Sequence, residues 1–247
     1  MPQQSPAFQQ CLANIDVVIF AGGLGTRIRS ALGDTPKALA LIGTQPFLNI
    51  VLAWLSGRGA KRIVLSLGVG ATAIQKHLSE VQFANLDLIC LVEPEPLGTA
   101  GALRFVRSQL RSDSVIAMNG DSFVDVDLCK LLDHHVHTHS EISMVCSPVE
   151  KAGRYGLVEI ENGAVTSFQE KNPAAGAGTI NAGIYVLSQT MLDRVAAGKG
   201  PSLERDFLGN LPPGTIGAFQ TTGIFLDIGT PESLLQAPQI LAPFMSR

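Results

Sequence analysis

The residues able to do chemistry gather at turns that follow apolar runs. The first group is Ala21-Gly22-Gly23-Leu24-Gly25-Thr26-Arg27, directly behind Asp16-Val17-Val18-Ile19-Phe20. Glycines let a backbone approach phosphates closely, and consecutive N–H groups can cradle oxyanions. A helix starting after the turn would add its dipole. Arg27 can fork two phosphate oxygens, and Pro36-Lys37 brings a second cation. A glycine-rich turn alone is as often an ordinary strand–helix connection as a phosphate site. It is not a P-loop, because the GxxxxGK[ST] pattern is absent. A dinucleotide site is also disfavoured: the G-x-G-x-x-G spacing fails, and no acidic residue ends the second strand at Ser66-Leu67-Gly68.

The second group is acidic. Asn119-Gly120-Asp121 closes one apolar run, and Asp227 lies in another, Phe225-Leu226-Asp227-Ile228. A carboxylate at the carboxyl end of a parallel strand points into the usual ligand crevice. Inside an apolar run it needs a partner or a metal. Together the two aspartates could hold Mg²⁺, with phosphate oxygens and water completing its shell. Either one alone would as readily cap a turn. His134, His135, His137 and His139 imitate a metal cluster, but no acid or cysteine stands at a ligand spacing, so they are expected at a solvated helix end. Phe47 and Trp54 fall on one helix face and read as core.

These groups must be positioned by alternating strands and helices. Strands are expected at 16–20, 62–67, 86–92 and 114–119, and helices at 46–58, 71–80 and 99–110. That alternation builds a parallel sheet covered on both faces. Later segments at 141–149, 156–161, 164–171 and 179–187 are strand-like, and Asn162-Gly163 between two of them signals a hairpin. Helices are expected at 188–197, 202–210 and 231–242, with strands near 215–220 and 224–228. The reading is a flexible tail over 1–14 and a single domain over 15–247, with a nucleotide-binding half over about 15–125 and a mixed half over about 126–247.

Composition bounds the function. Hydrophobic residues make up 46% and charged residues 16% of the 247, which favours a compact globular chain over disorder. The net charge of −3 gives no electrostatic footprint for nucleic acid, so phosphate must be bound locally. The polar start lacks a charged segment and no stretch suits a membrane span, which points to a cytoplasmic protein without membrane insertion. Cys11, Cys90, Cys129 and Cys146 are widely spaced with no CxxC, so a reduced chain is expected, with Cys90 and Cys146 in core strands.

Taken in order, GGLGTR, PK, EPLGTAGAL, NGD, EK, NAGIYVL and DIGTPE resemble the sugar-1-phosphate nucleotidyltransferases over about residues 16–236. Arg154-Tyr155-Gly156, Ser202-Leu203-Glu204, Phe225 to Gly229 and Ser30 resemble the D-glycero-α-D-manno-heptose 1-phosphate guanylyltransferases within that family. The resemblance implies a GT-A-like, Rossmann-like three-layer α/β/α sandwich with a mixed, mostly parallel sheet. It implies that residues 21–26 and Arg27 hold the triphosphate, Lys37 neutralises the reacting phosphates, and Asp121 and Asp227 bind Mg²⁺. Glu93, Gly98 and Thr99 would face the nucleotide; Gly156, Glu170, Lys171 and Asn181 would hold the sugar phosphate, making 126–247 the sugar-phosphate half. Ala38 and Ala40 depart from the usual prolines, which implies a less rigid loop. The implied partners are GTP and heptose 1-phosphate, the product feeding a capsule, lipopolysaccharide or S-layer glycan, with a homo-oligomer left open.

The chemistry suits this inventory. A sugar phosphate is largely a dianion at neutral pH, its second pKa being about 6. It can attack the α-phosphorus without a general base, given in-line positioning and charge neutralisation. Glu93 ends the strand LDLICLV, and a carboxylate can accept both the N1–H and the amine of guanine, which favours GTP. Glu95 is the other acid that could read the base. The competing readings are a guanylyl- or uridylyltransferase for mannose or N-acetylmuramic acid 1-phosphate, and a non-catalytic nucleotide-sugar sensor.

Overall fold

The computed structural model describes residues 10–245 apart from positions 24, 82, 84 and 170. The chain starts with β1 (Asp16–Ala21), whose side chains alternate between two faces: Val17 and Ile19 enter one core, Val18 the other. A one-turn helix α1 (Arg29–Leu32) and a small hairpin of β2 (Leu41–Ile42) and β3 (Gln45–Pro46) lead into α2 (Phe47–Ser56). Then come β4 (Arg62–Leu67), α3 (Ala71–Glu80), β5 (Asp87–Val92), α4 (Gly98–Val106) and β6 (Ser114–Asn119). The four long strands run parallel in the order β5-β4-β1-β6.

After β6 the chain changes direction. It forms β7 (Ser122–Val124), α5 (Leu128–His137), β8 (Ile142–Val149), β9 (Leu157–Glu161), β10 (Ala164–Gln169) and β11 (Gly178–Ser188). Then follow α6 (Gln189–Ala197), a π-turn over Leu203–Phe207, β12 (Ile216–Gln220), β13 (Phe225–Asp227) and α7 (Pro231–Leu241). β11 lies antiparallel to β6 and β8, extending one nine-stranded mixed sheet through β8, β12, β10 and β9. Asn162 and Gly163 both take positive φ between β9 and β10, as a two-residue hairpin turn requires. α2, α3, α5 and α7 cover one face, α4 and α6 the other, giving three layers.

Two expectations change here. The last residues of the supposed tail are packed: Leu12 is fully buried, and Cys11 is disulfide-bonded to Cys129 with their Cα atoms 5.5 Å apart. The turn over 11–14 lies against the first turn of α5, a proximity that 118 residues of sequence separation conceals. The chain is therefore not wholly reduced, although Cys90 and Cys146 are free; Cys146 is in the core as read, and burial pushes its thiol up to about 12, whereas Cys90 is half-buried on the edge strand β5. Of the four histidines, His137 and His139 are exposed as expected, but His134 and His135 are not. His135 is buried with its Nδ1 2.9 Å from Ser143 Oγ, and the His134 ring packs edge-on against Phe219. Phe47 and Trp54 are core, as expected.

Candidate active site

Strand pairing assembles the site. β1 and β6 are parallel neighbours with Phe20 opposite Asn119, so the glycine loop and Gly120-Asp121 leave the sheet side by side. The Gly120 N–H donates to the Phe20 carbonyl, 2.9 Å. β13 pairs antiparallel with β7, placing Asp227 opposite Ser122, one residue from Asp121. Two aspartates far apart in the chain thus meet at the mouth of a cleft of about 530 Å³.

Their shared partner is Lys37. Its Nζ lies 2.6 Å from Asp121 Oδ2 and 3.5 Å from Asp227 Oδ1. The lysine is 12% exposed, Asp227 13% and Asp121 46%, so Asp121 is the one left half-open to the cleft. Asp227 is held from both sides: the Gly229 N–H donates to Oδ1 at 2.6 Å, and Arg154 Nη2 donates to Oδ2 at 2.8 Å. Thr230 then caps α7 with Pro231 in the first turn, so the DIGTPE stretch is a fixed strand–helix corner. Lys37 opens a short 3₁₀ turn that Ala40 closes, and Ala38 and Ala40, which stand where proline is missing, are both buried.

The glycine loop lines the cleft with Ala21, Gly22, Gly23, Gly25 and Thr26. Arg27 stands exposed at its rim, without a hydrogen bond or ion pair among the described residues. Leu24 lies outside the described residues. The loop runs into a 3₁₀ turn and the single turn α1, so no long helix dipole stands behind it; its N–H groups and Arg27 are what an anion would meet. Beneath the loop, Glu93 is 8% exposed, and a Cβ on Gly22 would lie 2.6 Å from its Oε1. Only glycine permits that approach. Glu93 Oε1 accepts from the Ser66 hydroxyl at 2.8 Å and Oε2 from the Leu97 N–H at 3.1 Å. The carboxylate lines the cleft with one donor already on each oxygen, whereas Glu95 is exposed and lies off the cleft lining.

On the opposite wall a polar network ties the two halves together. Gly98, with φ of +70°, begins α4 with no room for a Cβ beside the Pro201 carbonyl. The Thr99 hydroxyl donates to Glu204 Oε2 at 2.7 Å, and Ser202 Oγ donates to the same oxygen at 3.0 Å. Tyr185 is wholly buried; its hydroxyl donates to Glu204 Oε1 at 3.1 Å and accepts from Asn181 Nδ2 at 2.6 Å. Burial and then the Glu204 charge hold the Tyr185 phenol well above its usual range. Gly156 follows Tyr155 on the same side, and its carbonyl accepts from the Asn181 N–H. Lys171 is exposed on the lining without a partner among the described residues; Glu170 lies outside them.

Sequence reasoning noticed Arg154, Tyr155 and Glu204 only as marks of a subgroup. Arg154 grips Asp227, and Tyr155 lies under its guanidinium, 5.6 Å from ring centroid to Cζ. Burial and the Asp227 carboxylate push the Tyr155 phenol up, against the pull of Arg154 and Arg27. The Arg-Tyr-Gly and Ser-Leu-Glu triplets were the available signals; their partners were not. Among the described residues no group of three or more His, Cys, Asp or Glu could hold a metal by itself. No helix there is long and apolar enough to cross a membrane.

Known proteins resemble this chain over most of its length. The family described as nucleotidyl transferase matches residues 16–242. A D-glycero-α-D-manno-heptose 1-phosphate guanylyltransferase from Aneurinibacillus thermoaerophilus is 29% identical over 94% of this chain and 100% of its own length. The protein of the same name from Campylobacter jejuni is 32% identical over 88% of this chain and 96% of its own. The crystal structure of HddC from Yersinia pseudotuberculosis complexed with GMP-PN superposes with a TM-score of 0.80 at 34% identity, covering 91% of this chain and 98% of that one.

Proposed function

The chain belongs to the nucleotidyl transferase family, and on that premise we propose that it transfers GMP from GTP to D-glycero-α-D-manno-heptose 1-phosphate, releasing pyrophosphate. The observation that carries this reading is the convergence of Asp121 and Asp227 on one cationic group beside the glycine loop. It supports a centre for phosphoryl chemistry and gives no support to a site that merely stores a nucleotide sugar. The GMP-PN complex of the Yersinia protein supports a guanine nucleotide, and the two heptose 1-phosphate guanylyltransferases support the sugar.

The residues divide the work as follows. The N–H groups of residues 21–26 and the Arg27 guanidinium cradle the triphosphate. Glu93, Gly98 and Thr99 shape the nucleotide side, while Gly156, Glu170, Lys171 and Asn181 hold the sugar phosphate. Lys171, free at the rim, meets the acceptor's phosphate. Asp121 and Asp227 fit Mg²⁺, because their oxygens already converge on a positive charge and hard carboxylate oxygens suit that ion. The ion would supply charge neutralisation at the attacked phosphate. Lys37 adds a second positive charge there, and Arg154 fixes the outer oxygen of Asp227. The acceptor dianion is its own nucleophile, so these residues need only align it and exclude water. GTP is a cytoplasmic metabolite, so we place the reaction in the cytoplasm; the Cys11–Cys129 bond takes no part in it.

The test is a matrix of four nucleoside triphosphates against a panel of sugar 1-phosphates with Mg²⁺, read by pyrophosphate release. GTP with the heptose phosphate should give the highest kcat/KM. Preference for mannose 1-phosphate would move the chain to another guanylyltransferase, and no release with any pair would remove the enzymatic reading.

A further inference from the structure

The two aspartates expected to hold the metal are already bridged. Lys37 Nζ stands 2.6 Å from Asp121 Oδ2 and 3.5 Å from Asp227 Oδ1, so the two carboxylates meet at one ammonium. Like charges at this separation repel strongly when partly shielded from water, so something positive must stand between them. The outer contacts of Asp227 do not depend on the lysine: Arg154 holds Oδ2 and the Gly229 N–H holds Oδ1. Its carboxylate is therefore aimed inward whether or not Lys37 is there.

We propose that Lys37 is a resident stand-in for the divalent cation, closing the Asp121–Asp227 pair while the cleft is empty and released to the triphosphate only when a divalent cation takes its place. The inference rests on the assignment of those aspartates as metal ligands. Charge counting gives it a consequence. Lys37, Arg154, Asp121 and Asp227 sum to zero in this arrangement, so the cluster itself adds little to the attraction that Arg27 and Lys171 exert on an anion. Replacing the ammonium by a divalent cation, with the lysine still nearby, leaves the cluster at +2, which suits a triphosphate. A metal arriving alone must turn Lys37 out without offering it a partner, whereas a metal arriving with a triphosphate supplies one. The two should therefore bind with positive coupling. Lysine suits this role because its charge is compact and its stem flexible, unlike the planar arginine fork that stays on Asp227.

The experiment uses the nucleotide-free protein and Mn²⁺ alone. Acylation of each lysine by an N-hydroxysuccinimide ester is followed by mass spectrometry, with the exposed Lys171 as internal reference. Lys37 should react slowly without metal and several times faster as Mn²⁺ is added, while Lys171 stays constant. An unchanged or slowed Lys37 on adding Mn²⁺ would overturn the proposal, and this arm needs no variant. In a second arm Mn²⁺ affinity is measured by electron paramagnetic resonance. Lys37→Met should tighten it by about tenfold, equivalent to about 1.4 kcal/mol. Arg27→Met removes a charge from the same cleft without touching either aspartate and should change it far less. Equal gains in the two variants would mean a diffuse field effect and would also overturn the proposal. Failure of the substrate matrix with a normal Lys37 response would sink the assigned reaction and leave the exchange standing; the converse would do the opposite.

Discussion

The two halves of the cleft are built differently. The nucleotide side presents groups that stay open to the cleft: Arg27 has no partner among the described residues, and Asp121, though bridged by Lys37, is 46% exposed. The second half, Lys171 apart, presents groups that are already engaged. Asn181, Tyr185 and Glu204 form one chain of hydrogen bonds, and Asp227 is gripped by Arg154 and Gly229. The difference follows from topology. Loops leaving parallel strands carry few backbone obligations, whereas β11 threads between β6 and β8 and must satisfy each polar group it buries. Under the proposed assignment, the triphosphate side would adjust on binding and the acceptor side would be set in advance.

The sharpest way to break that comparison is at the aspartates. Asp121→Asn and Asp227→Asn should each remove most turnover, since either loses charge that would stabilise the transition state by several kcal/mol. Their stabilities should differ. Asp227→Asn leaves both Arg154 and Lys37 short of a counter-charge and should lower Tm more; Asp121→Asn weakens the shortest contact of Lys37, but that carboxylate is half-exposed and Asp227 still faces the lysine, so the loss should be smaller. Full activity in either variant at limiting Mg²⁺, or equal Tm losses, would contradict the division. Next comes the split between the free cations. Arg27→Ala should raise KM chiefly for the triphosphate and Lys171→Ala chiefly for the sugar phosphate. Each loses a charge-assisted contact of about 1.5–3 kcal/mol. Matching defects for both substrates in both variants would show that the halves do not act separately.

The preset side is tested by Tyr185→Phe, which leaves Asn181 Nδ2 without its acceptor and Glu204 Oε1 without its donor. A loss of about 1–3 kcal/mol is expected, shared between Tm and the KM for sugar phosphate, with the KM for GTP nearly unchanged. A change confined to GTP would refute the assignment of this network to the acceptor. The network also marks what the sequence could not convey. Asn181 and the Ser202-Leu203-Glu204 triplet were visible as residues, but their meeting through Tyr185 depends on a strand returning beside β6. The parallel half was legible because each strand is a continuous apolar run with a glycine-rich exit. Of the β7–β13 ribbon that delivers Asp227, the strand near 224–228 was legible but its partner β7 was not, since a three-residue strand is too short to show a period. Leu12, Cys11 and His135 were misplaced for a related reason: polar neighbours suggested solvent, and only packing against α5 and β8 buries them.

The smallest expected effect concerns the base, and it asks whether the nucleotide side is as adjustable as its exposed residues suggest. Glu93 is the exception there, braced by Ser66 and Leu97 under the glycine loop. Each carboxylate oxygen holds one donor and keeps a lone pair for another, so the pair can still accept from the N1–H and amine of guanine. Glu93→Gln changes both layers at once. If the amide nitrogen turns toward Leu97, it opposes a backbone N–H, donor against donor. If it turns toward Ser66, the hydroxyl must reverse and accept. In either orientation only one oxygen remains to accept from guanine, while uracil, with a single N–H between two carbonyls, meets a donor as well as an acceptor. The GTP-to-UTP ratio of kcat/KM should therefore fall by about fivefold, roughly 1 kcal/mol, at the low end for a polar group left unpaired because a brace remains. Ser66→Ala serves as the control: it removes one brace but leaves both carboxylate oxygens, so it should lower stability slightly and keep the ratio. A ratio unchanged in Glu93→Gln, or lowered equally by Ser66→Ala, would make Glu93 a support for the loop and assign guanine recognition to the backbone around Gly98.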